Sequence, residues 1–365
     1  MDRSDSRRDH FTACLLAGAI GDALGAPVEF MSRQAIVAAH GPAGITDYAP
    51  AYGRIGAITD DTQMTLFTAE GLLRAFVRRR MRGISSPSGM VGAAYQRWLL
   101  TQGETNAQLD FQSAVSGWLF GVRELHSRRA PGNTCLSALR SAKSFGAVAV
   151  NHSKGCGGVM RVAPVGLMMW RFGSGLEQSF DLACEVCALT HGHPTGQLTG
   201  GVLAAMIHGL LDDRSMSVAL DDAIAILVTR PQHEQTSSAL SLARSLADER
   251  LDPVSAIARL GQGWIAEEAL AIAVYCALVA EDFRHGLQIA VNHDGDSDST
   301  GAIVGHLLGA RDGLAALPDA LIAPLELREV ITQVACDLFD CHDWDIGEYS
   351  ESGQNAIVWE RYPGG

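Results

Sequence analysis

The sequence predicts an all-α fold, and the spacing of its apolar residues carries that prediction. Apolar residues recur three and four positions apart along most of the 365-residue chain, and no convincing alternating strand stands out. The 39 glycines fall between these helix-like segments. Many helices with short connections indicate one compact domain over residues 1–365, with a core over about 10–340 and a C-terminal tail over 341–365.

The helices follow in chain order from the same spacing. The first carries an apolar face at every fourth position and ends at Gly25-Ala26-Pro27, which breaks a helix. The second starts after Thr62 and ends in the basic cluster Arg78–Arg80, which suits the negative end of a helix dipole. Further helices are predicted over Met90–Leu100, Gln112–Leu125, Val159–Trp170, Leu176–Leu189, Thr195–Leu211, Ala219–Val228, Ser237–Leu246, Ile265–Val279, Ser299–Leu308 and Leu325–Phe339.

Three other stretches lack a helical pattern. The Ala147–Val150 stretch could be extended. Met81–Gly89 and Ala130–Asn133 have the composition of surface loops, and neither has that of a domain linker.

Charge and composition exclude several classes of protein. The net charge of −13 argues against binding to a nucleic-acid backbone or to an anionic membrane surface, although local geometry can still favour a small anionic ligand. The polar start shows no signal peptide, and the apolar stretches are too short to span a membrane. Eight cysteines in a chain of this length are not a disulfide framework. We therefore expect a cytoplasmic protein. We also expect a monomer.

An acidic, hydroxyl-rich segment, Ile58-Thr59-Asp60-Asp61-Thr62, precedes the second helix. Thr59 is a natural N-cap, and the two aspartates suit the positive end of a helix. The carboxylates and hydroxyls also form a compact set of oxygen ligands, which Mg²⁺ or Mn²⁺ prefers. The segment is either a plain helix start or half of a metal site.

A second acidic segment, Asp294-Gly295-Asp296-Ser297-Asp298-Ser299-Thr300-Gly301, precedes another helix. Its three aspartates repel one another unless cations or solvent neutralise them. An EF-hand loop requires a glutamate at its twelfth position, and this segment has none there. Alone, it is a solvated loop with an N-cap or a metal-binding loop. If the two acidic helix starts converge in the fold, they form a binuclear metal site.

Two further segments have the composition of ligand contacts. In Asn151–Arg161, the glycine-rich backbone can expose N–H groups to a phosphate, and Arg161 can add charge. A plain loop is the alternative, because the spacing matches neither a Walker A motif nor a dinucleotide fingerprint. In Leu189-Thr190-His191-Gly192-His193-Pro194, the two histidines can bind a metal, pair with a phosphate or cap helix ends.

The segment Gly18–Phe30 combines small residues with two acids. The small residues allow another helix to approach closely, and Asp22 is expected to cap or pair locally. Glu29 follows the helix break among apolar neighbours. Desolvation there would raise the pKa of its carboxyl group, which suits acid–base catalysis, whereas a surface position would not.

These five segments, in this order, resemble the ADP-ribosylglycohydrolase family, of the type that activates dinitrogen reductase or acts on ADP-ribosyl-arginine. The matching pieces are GAIGDALGAPVEF, ITDDTQMTLFTAEGLL, GCGGVMRVAPVGL, LTHGHPTGQLTGG and GDSDSTGAIVGHLLGA, which run from residue 18 to residue 310. The resemblance implies an all-α hydrolase with a binuclear Mg²⁺ or Mn²⁺ centre.

Residue by residue, the resemblance implies a ligand set and a substrate-facing set. The implied metal ligands are Thr59, Asp60, Asp61, Asp296, Asp298 and Ser299. The implied substrate-facing residues are Gly157, Gly158, Val159, Met160 and His191. Glu29 matches a carboxylate that approaches the metals in some members, and we expect either Asp60 or Glu29 to be the catalytic acid–base.

The chain also departs from the family pattern. Where many members have Gly-Asn-Gly-Ser, this chain has Gly155-Cys156-Gly157-Gly158, so the Asn and Ser side-chain contacts are lost while backbone donors remain. The Asp-Ser-Asp-Ser-Thr run resembles members that act on ADP-ribosyl-arginine more than those that act on ADP-ribosyl-serine, whereas Glu29 also occurs in serine-type members.

The resemblance implies hydrolysis at the anomeric carbon of the distal ribose, through a transition state that resembles an oxocarbenium ion. The expected partner is an ADP-ribosylated protein or ADP-ribose, and the role is either reversal of a regulatory modification or immunity against an ADP-ribosyltransferase toxin. The alternatives are an immunity protein that binds the toxin without catalysis, a hydrolase of a serine or O-acetyl-ester linkage, and a structural protein such as the lens crystallins of the family.

Overall fold

Helices make up nearly all the regular structure of the protein. The computed structural model describes residues 3–109 and 115–364, with side chains from residue 6 onward. In this part of the chain there are no strands, and the all-α prediction is confirmed. The helices are α1 (Arg3–Gly25), α2 (Arg33–His40), α3 (Asp60–Arg82), α4 (Pro87–Thr101), α5 (Asn133–Ser141), α6 (Ala163–Arg171), α7 (Leu176–Ala188), α8 (Pro194–Leu211), α9 (Met216–Leu227), α10 (Glu234–Asp248), α11 (Pro253–Leu260), α12 (Ala266–Val279), α13 (Phe283–Val291), α14 (Ser297–Asp312), α15 (Asp319–Ile322), α16 (Arg328–Asp340) and α17 (Gln354–Arg361).

The helix predicted over Gln112–Leu125 is wrong where the structure describes it. Residues 110–114 lie outside the described residues, and from residue 115 the chain forms only two 3₁₀ turns, Leu119–Gly121 and Arg123–Leu125. Gly117 has a φ of 94°, which lies outside the helical region and prevents a continuous helix.

Two other predicted helices begin later than expected. The segment Val159–Trp170 is divided between a 3₁₀ turn, Cys156–Arg161, and α6, because Pro164 occupies the first turn of α6 and has no N–H to continue a preceding helix. The helix predicted from Leu325 begins at Arg328, because Leu327 adopts a left-handed φ of 57°. The Ala147–Val150 stretch forms no strand.

Helices α1 and α14 pack against each other through glycines. A Cβ atom at Gly25 would overlap the carbonyl oxygen of Ser297, and one at Gly305 would overlap that of Ala17. Only glycine permits this backbone separation, as the small residues of both helices predict. The packing places the start of α14 beside the end of α1, and therefore brings two of the predicted site segments together.

The central helices are buried on all sides. Most residues of α8, α12 and α14 are buried, so none of these helices has a broad polar face exposed to solvent. No helix within the described residues is long and apolar enough to cross a membrane. Residues after α16 pack back on the core: the Tyr362 hydroxyl donates to Asp337 at 2.6 Å, and its ring stacks on Trp344.

Candidate active site

A cleft of about 510 Å³ opens where α3 and α14 begin. Both helices present their N-termini to it, and the turn after α1 forms a third side. Its acidic lining consists of Glu29, Asp60, Asp61, Asp296 and Asp298. The two acidic segments that the sequence places far apart are therefore brought to one cleft. The role of each residue as a ligand stays a prediction.

Three carboxylates, one from the turn after α1 and two from the start of α14, lie close together. Glu29, Asp296 and Asp298 each offer an oxygen atom within 4.8 Å of the other two. All three side chains are buried, and Glu29 Oε2 has no hydrogen-bond partner in the described part of the chain. Carboxylates at this separation form a group that can hold a metal ion.

Asp22 links α1 to α3 rather than capping its own helix. Its carboxylate accepts hydrogen bonds from the backbone N–H groups of Thr59, at 3.0 and 3.1 Å, and of Thr62, at 3.1 Å. The local pairing expected of Asp22 is therefore wrong: it anchors the N-terminus of a different helix, where free N–H groups attract an anion.

The start of α3 orients the first pair of aspartates. Thr59 is the N-cap, as predicted, and its hydroxyl accepts from the Asp61 N–H at 3.3 Å. Asp60 Oδ2 accepts from the Gly132 N–H at 3.2 Å, whereas Asp61 Oδ2 has no partner among the described residues. The segment Ala130–Asn133, interpreted from composition as a surface loop, lines the cleft, because its backbone turns in to meet Asp60.

The start of α14 carries the second pair and an unexpected thiol. Asp296 is the N-cap, and Asp298 Oδ1 accepts from the Ser299 N–H at 3.0 Å. The Cys156 thiol donates to Asp296 Oδ2 at 2.8 Å and lies 3.7 Å from the Ser299 hydroxyl. Burial and the neighbouring Asp296 raise the pKa of Cys156, so the thiol stays protonated and acts as a donor.

The acidic residues of the cleft have no basic partner. Burial, and then the charge of Asp298, raise the pKa of Glu29 to about 10 and that of Asp22 to about 7. The same two causes raise the pKa values of Asp60 and Asp61. Within the described residues no Lys, Arg or His forms an ion pair with any of these groups. Buried carboxylates without a cation favour protonation, or an external cation.

The predicted substrate-facing residues divide into two sets. Gly157, Met160 and His191 line the cleft, whereas Gly158 and Val159 are buried and do not line it. His193 caps α8 by accepting from the Thr195 N–H at 3.1 Å, which is the helix-capping alternative considered for this segment.

An aromatic pair at the mouth of the cleft escaped sequence analysis. Phe30 and Trp264 stack with ring centroids 5.6 Å apart and an interplanar angle of 17°, and both line the cleft. Phe30 is 74% exposed, which is unusual for a phenylalanine. Trp264 lies in the loop before α12, and its carbonyl accepts from the Cys156 N–H. The sequence holds no signal that would pair these two residues.

An all-helical domain with an unpaired acidic cleft at helix N-termini has the features of an enzyme that recruits a cation. The chain belongs to the ADP-ribosylglycohydrolase family, whose sequence pattern matches residues 3–346, and it is a glycohydrolase. The family is metal-dependent and acts on ADP-ribosylated substrates.

Similar proteins extend over most of the chain. An uncharacterized protein of Archaeoglobus fulgidus is 28% identical over 338 residues, covering 92% of this chain and 97% of its own. The ADP-ribosyl-[dinitrogen reductase] glycohydrolase of Rhodospirillum rubrum is 27% identical over 340 residues, covering 90% and 95%. A solved structure titled ADP-ribosylglycohydrolase-related protein complex is 25% identical, with a TM-score of 0.62, and covers 92% of this chain and 98% of that chain.

Proposed function

We propose that this protein removes ADP-ribose from ADP-ribosylated arginine side chains, with two Mg²⁺ or Mn²⁺ ions bound in the acidic cleft. The observation that carries the proposal is the group of buried cleft carboxylates without a basic partner in the described residues. Such a group is costly to bury as anions unless a cation completes it.

The residues present suit hard divalent cations. Oxygen donors from Asp60, Asp61, Asp296 and Asp298 would hold the metals, with Thr59 and Ser299 as hydroxyl donors. The unpartnered Asp61 Oδ2 supports this assignment, because a buried carboxylate oxygen otherwise lacks any compensating contact. When bound, divalent cations orient hydroxyl groups of the sugar and make water more acidic.

The chain's own carboxylates would move the protons. Asp60 is held through Oδ2 by the Gly132 N–H, so its Oδ1 can accept a proton from the attacking water. Glu29 Oε2 is unpartnered and can hold the proton delivered to the leaving arginine nitrogen. Water adds to the anomeric carbon as the bond from that carbon to nitrogen breaks, in the manner of other glycoside hydrolysis.

The mouth of the cleft favours a planar cationic leaving group. Phe30 and Trp264 present aromatic rings at the entrance, and the lining behind them includes no Lys or Arg among the described residues. Aromatic faces and carboxylates both attract a guanidinium group. A serine side chain or an acetyl ester has no cationic group for these rings and carboxylates to attract.

Hydrolysis is tested with arginine-ADP-ribosylated protein as substrate. We expect release of ADP-ribose with Mg²⁺ or Mn²⁺, loss of release with a chelator, and loss in Asp60→Asn. The matched control is Asp252→Asn, because Asp252 also begins a helix but is exposed and outside the cleft. It should keep full activity.

Serine-linked protein and O-acetyl-ADP-ribose serve as competing substrates in the same assay. Faster release from either would overturn the arginine assignment while keeping the hydrolase. Absence of release from all three substrates, with a transferase toxin captured instead, would favour an immunity protein that acts by binding. The eight free cysteines fit a reducing compartment, and we propose that the reaction takes place in the cytoplasm.

A further inference from the structure

Arg161 is a buried cation that has no carboxylate partner. Its side chain is fully buried, and in the described residues it forms no ion pair with Asp or Glu. Its guanidinium lies 4.2 Å from the centroid of the Tyr95 ring, and Nη1 contacts the sulfur atoms of Met64 and Cys135. A buried arginine without a carboxylate partner is unusual, because an unpaired buried charge is costly.

Among the described residues, Arg161 has one oxygen acceptor, which connects it to the cleft. Arg161 Nη2 donates to the Thr190 hydroxyl at 2.6 Å, and that hydroxyl lies 2.8 Å from His191 Nδ1. His191 lines the cleft beside the glycine turn, so that its ring contacts the positions where side chains of Gly157 and Gly158 would lie. The three residues form a chain from the protein interior to the substrate cleft.

Proton accounting fixes the direction of this chain. An arginine can only donate, so the Thr190 oxygen is the acceptor in its contact with Arg161. The single Thr190 proton then has three possible acceptors, which are His191 Nδ1 at 2.8 Å, the Cys187 carbonyl at 3.5 Å and the Cys135 sulfur, a weak acceptor. The shorter distance is that of a good hydrogen bond and the longer one is not. If Nδ1 carried the ring proton, it would donate to the second lone pair of the Thr190 oxygen and leave the Thr190 proton with a weaker acceptor. The better set of hydrogen bonds has Thr190 donating to Nδ1, which leaves the ring proton on Nε2.

We propose that Arg161 and Thr190 are positioning residues that fix His191 as an Nε2–H donor toward an acceptor oxygen of bound ADP-ribose. This inference rests on the proposed function for the identity of the ligand, but not for the protonation of the ring. His191 Nε2 has no hydrogen-bond partner within the described part of the chain, so its proton is available to a ligand.

The ring is a neutral donor at physiological pH. Burial, and then the charge of Arg161, lower the pKa of His191 to about 3. A neutral imidazole carries one proton, and the partner of one nitrogen decides which nitrogen carries it. Without the Thr190 hydroxyl, Nε2 could equally be an acceptor and would repel an anionic oxygen. The buried arginine thus favours a defined donor without placing a cation in the cleft itself.

The first test reads the protonation of the ring directly. Nitrogen-15 NMR of the ligand-free protein at pH 7 distinguishes a protonated ring nitrogen from an unprotonated one, and the His191 signals are those missing from His191→Gln. We expect a protonated Nε2 and an unprotonated, hydrogen-bonded Nδ1. A proton on Nδ1 would overturn the proposal whatever the reaction of the enzyme.

The second test removes the connecting hydroxyl while keeping the shape of the side chain. Thr190→Val should shift the Nδ1 resonance and weaken ADP-ribose binding about tenfold, the effect of one hydrogen bond. We expect KM to rise by a similar factor, with kcat within about threefold. Thr199→Val is the matched control, since Thr199 is equally buried and its hydroxyl bonds only the Thr195 carbonyl of its own helix.

The two variants decide between a connecting and a merely structural Thr190. If Thr190→Val and Thr199→Val bind ADP-ribose equally and the His191 resonances do not move, the proposal is overturned. If the wild-type protein does not bind ADP-ribose, the proposed function fails instead, and the NMR measurement still decides the protonation of His191.

Discussion

Helix α3 passes through two buried acidic regions whose charges are balanced in opposite ways. In the middle of the helix, Glu70 forms ion pairs with Arg74 at 3.0 Å and with Arg97 at 2.9 Å, and all three side chains are buried. At the N-terminus, Asp60 and Asp61 have no basic partner among the described residues. The two regions are about 15 Å apart along one helix.

The difference shows what each region is built for. Around Glu70 the chain supplies its own cations, and the charges are compensated inside the folded protein. At the start of α3 the fold gathers further carboxylates from the turn after α1 and from α14, and no basic side chain among the described residues pairs with them. Burial alone therefore does not explain the acidic cleft. An acidic cluster without compensating cations is what the proposed metal site requires, and the family is metal-dependent.

The largest expected effect comes from the cleft. Asp298→Asn should weaken Mn²⁺ binding by more than about 100-fold, since even partners that only support a ligand are worth 10- to 100-fold. Isothermal titration calorimetry measures the affinity, with Asp252→Asn as the control. Unchanged Mn²⁺ affinity in Asp298→Asn would show that Asp298 is not a metal ligand. The cleft would then not differ from the Glu70 region through a bound cation.

The second effect concerns the stability of the compensated region. Glu70→Gln leaves Arg74 and Arg97 buried without a counter-charge, which should cost about 3–5 kcal/mol of unfolding free energy. Urea unfolding measures this cost. Glu104→Gln is the control, because Glu104 also pairs with two arginines but these are about half exposed, and such pairs contribute about 0–1 kcal/mol. Equal losses of unfolding free energy in both variants would mean that burial does not increase the cost of removing the glutamate charge.

The sequence was sufficient for the fold class and for most of the acidic cleft. Long helices such as α3, α8 and α14 display several turns of apolar spacing, so the pattern predicts them. Short ones do not: α2 and α11 have 8 residues each, too few for a reliable period. Aspartates at helix starts were visible because capping and ligand chemistry use the same residues at the same place.

The remaining features of the cleft depend on contacts between distant segments. Asp22 has the sequence context of a local cap, but the packing of α1 directs it to the N–H groups of α3. The Phe30–Trp264 pair joins residues that no local pattern relates. Ala130–Asn133 has a loop composition, and only the Gly132 contact with Asp60 shows that it belongs to the cleft.

A third buried region contains a basic residue, His306, in place of carboxylates. His306 on α14 lies against α1, and its Nδ1–H donates to the Cys14 carbonyl at 2.8 Å. Burial lowers its pKa from 6.5 to about 4. Because the folded pKa is the lower one, the unfolded chain binds more protons between these values, and stability falls as the pH drops through this window.

The expected contribution of His306 is a loss of about 2 kcal/mol between pH 7 and pH 5. His306→Gln should be less stable at pH 7 but should lose less stability on acidification, measured as the difference between unfolding curves at the two pH values. Other groups titrate equally in both proteins, so they cancel in this difference. An identical pH dependence in the two proteins would show that burial does not lower the pKa of His306.

The smallest expected effect gives the clearest test, because the change in unfolding free energy has the opposite sign to that of Glu70→Gln. In the presence of chelator, Asp61→Asn should stabilise the protein by about 1 kcal/mol, since it removes one of several like charges that are buried together. With Mn²⁺ at about 100 times its dissociation constant, the wild type should gain about 2.7 kcal/mol and become the more stable of the two. Paired urea unfolding curves with chelator and with Mn²⁺ measure both signs. A loss of several kcal/mol in metal-free Asp61→Asn would mean that contacts inside the protein compensate Asp61 as they do Glu70. The start of α3 and the Glu70 region would then not differ in how their charges are balanced.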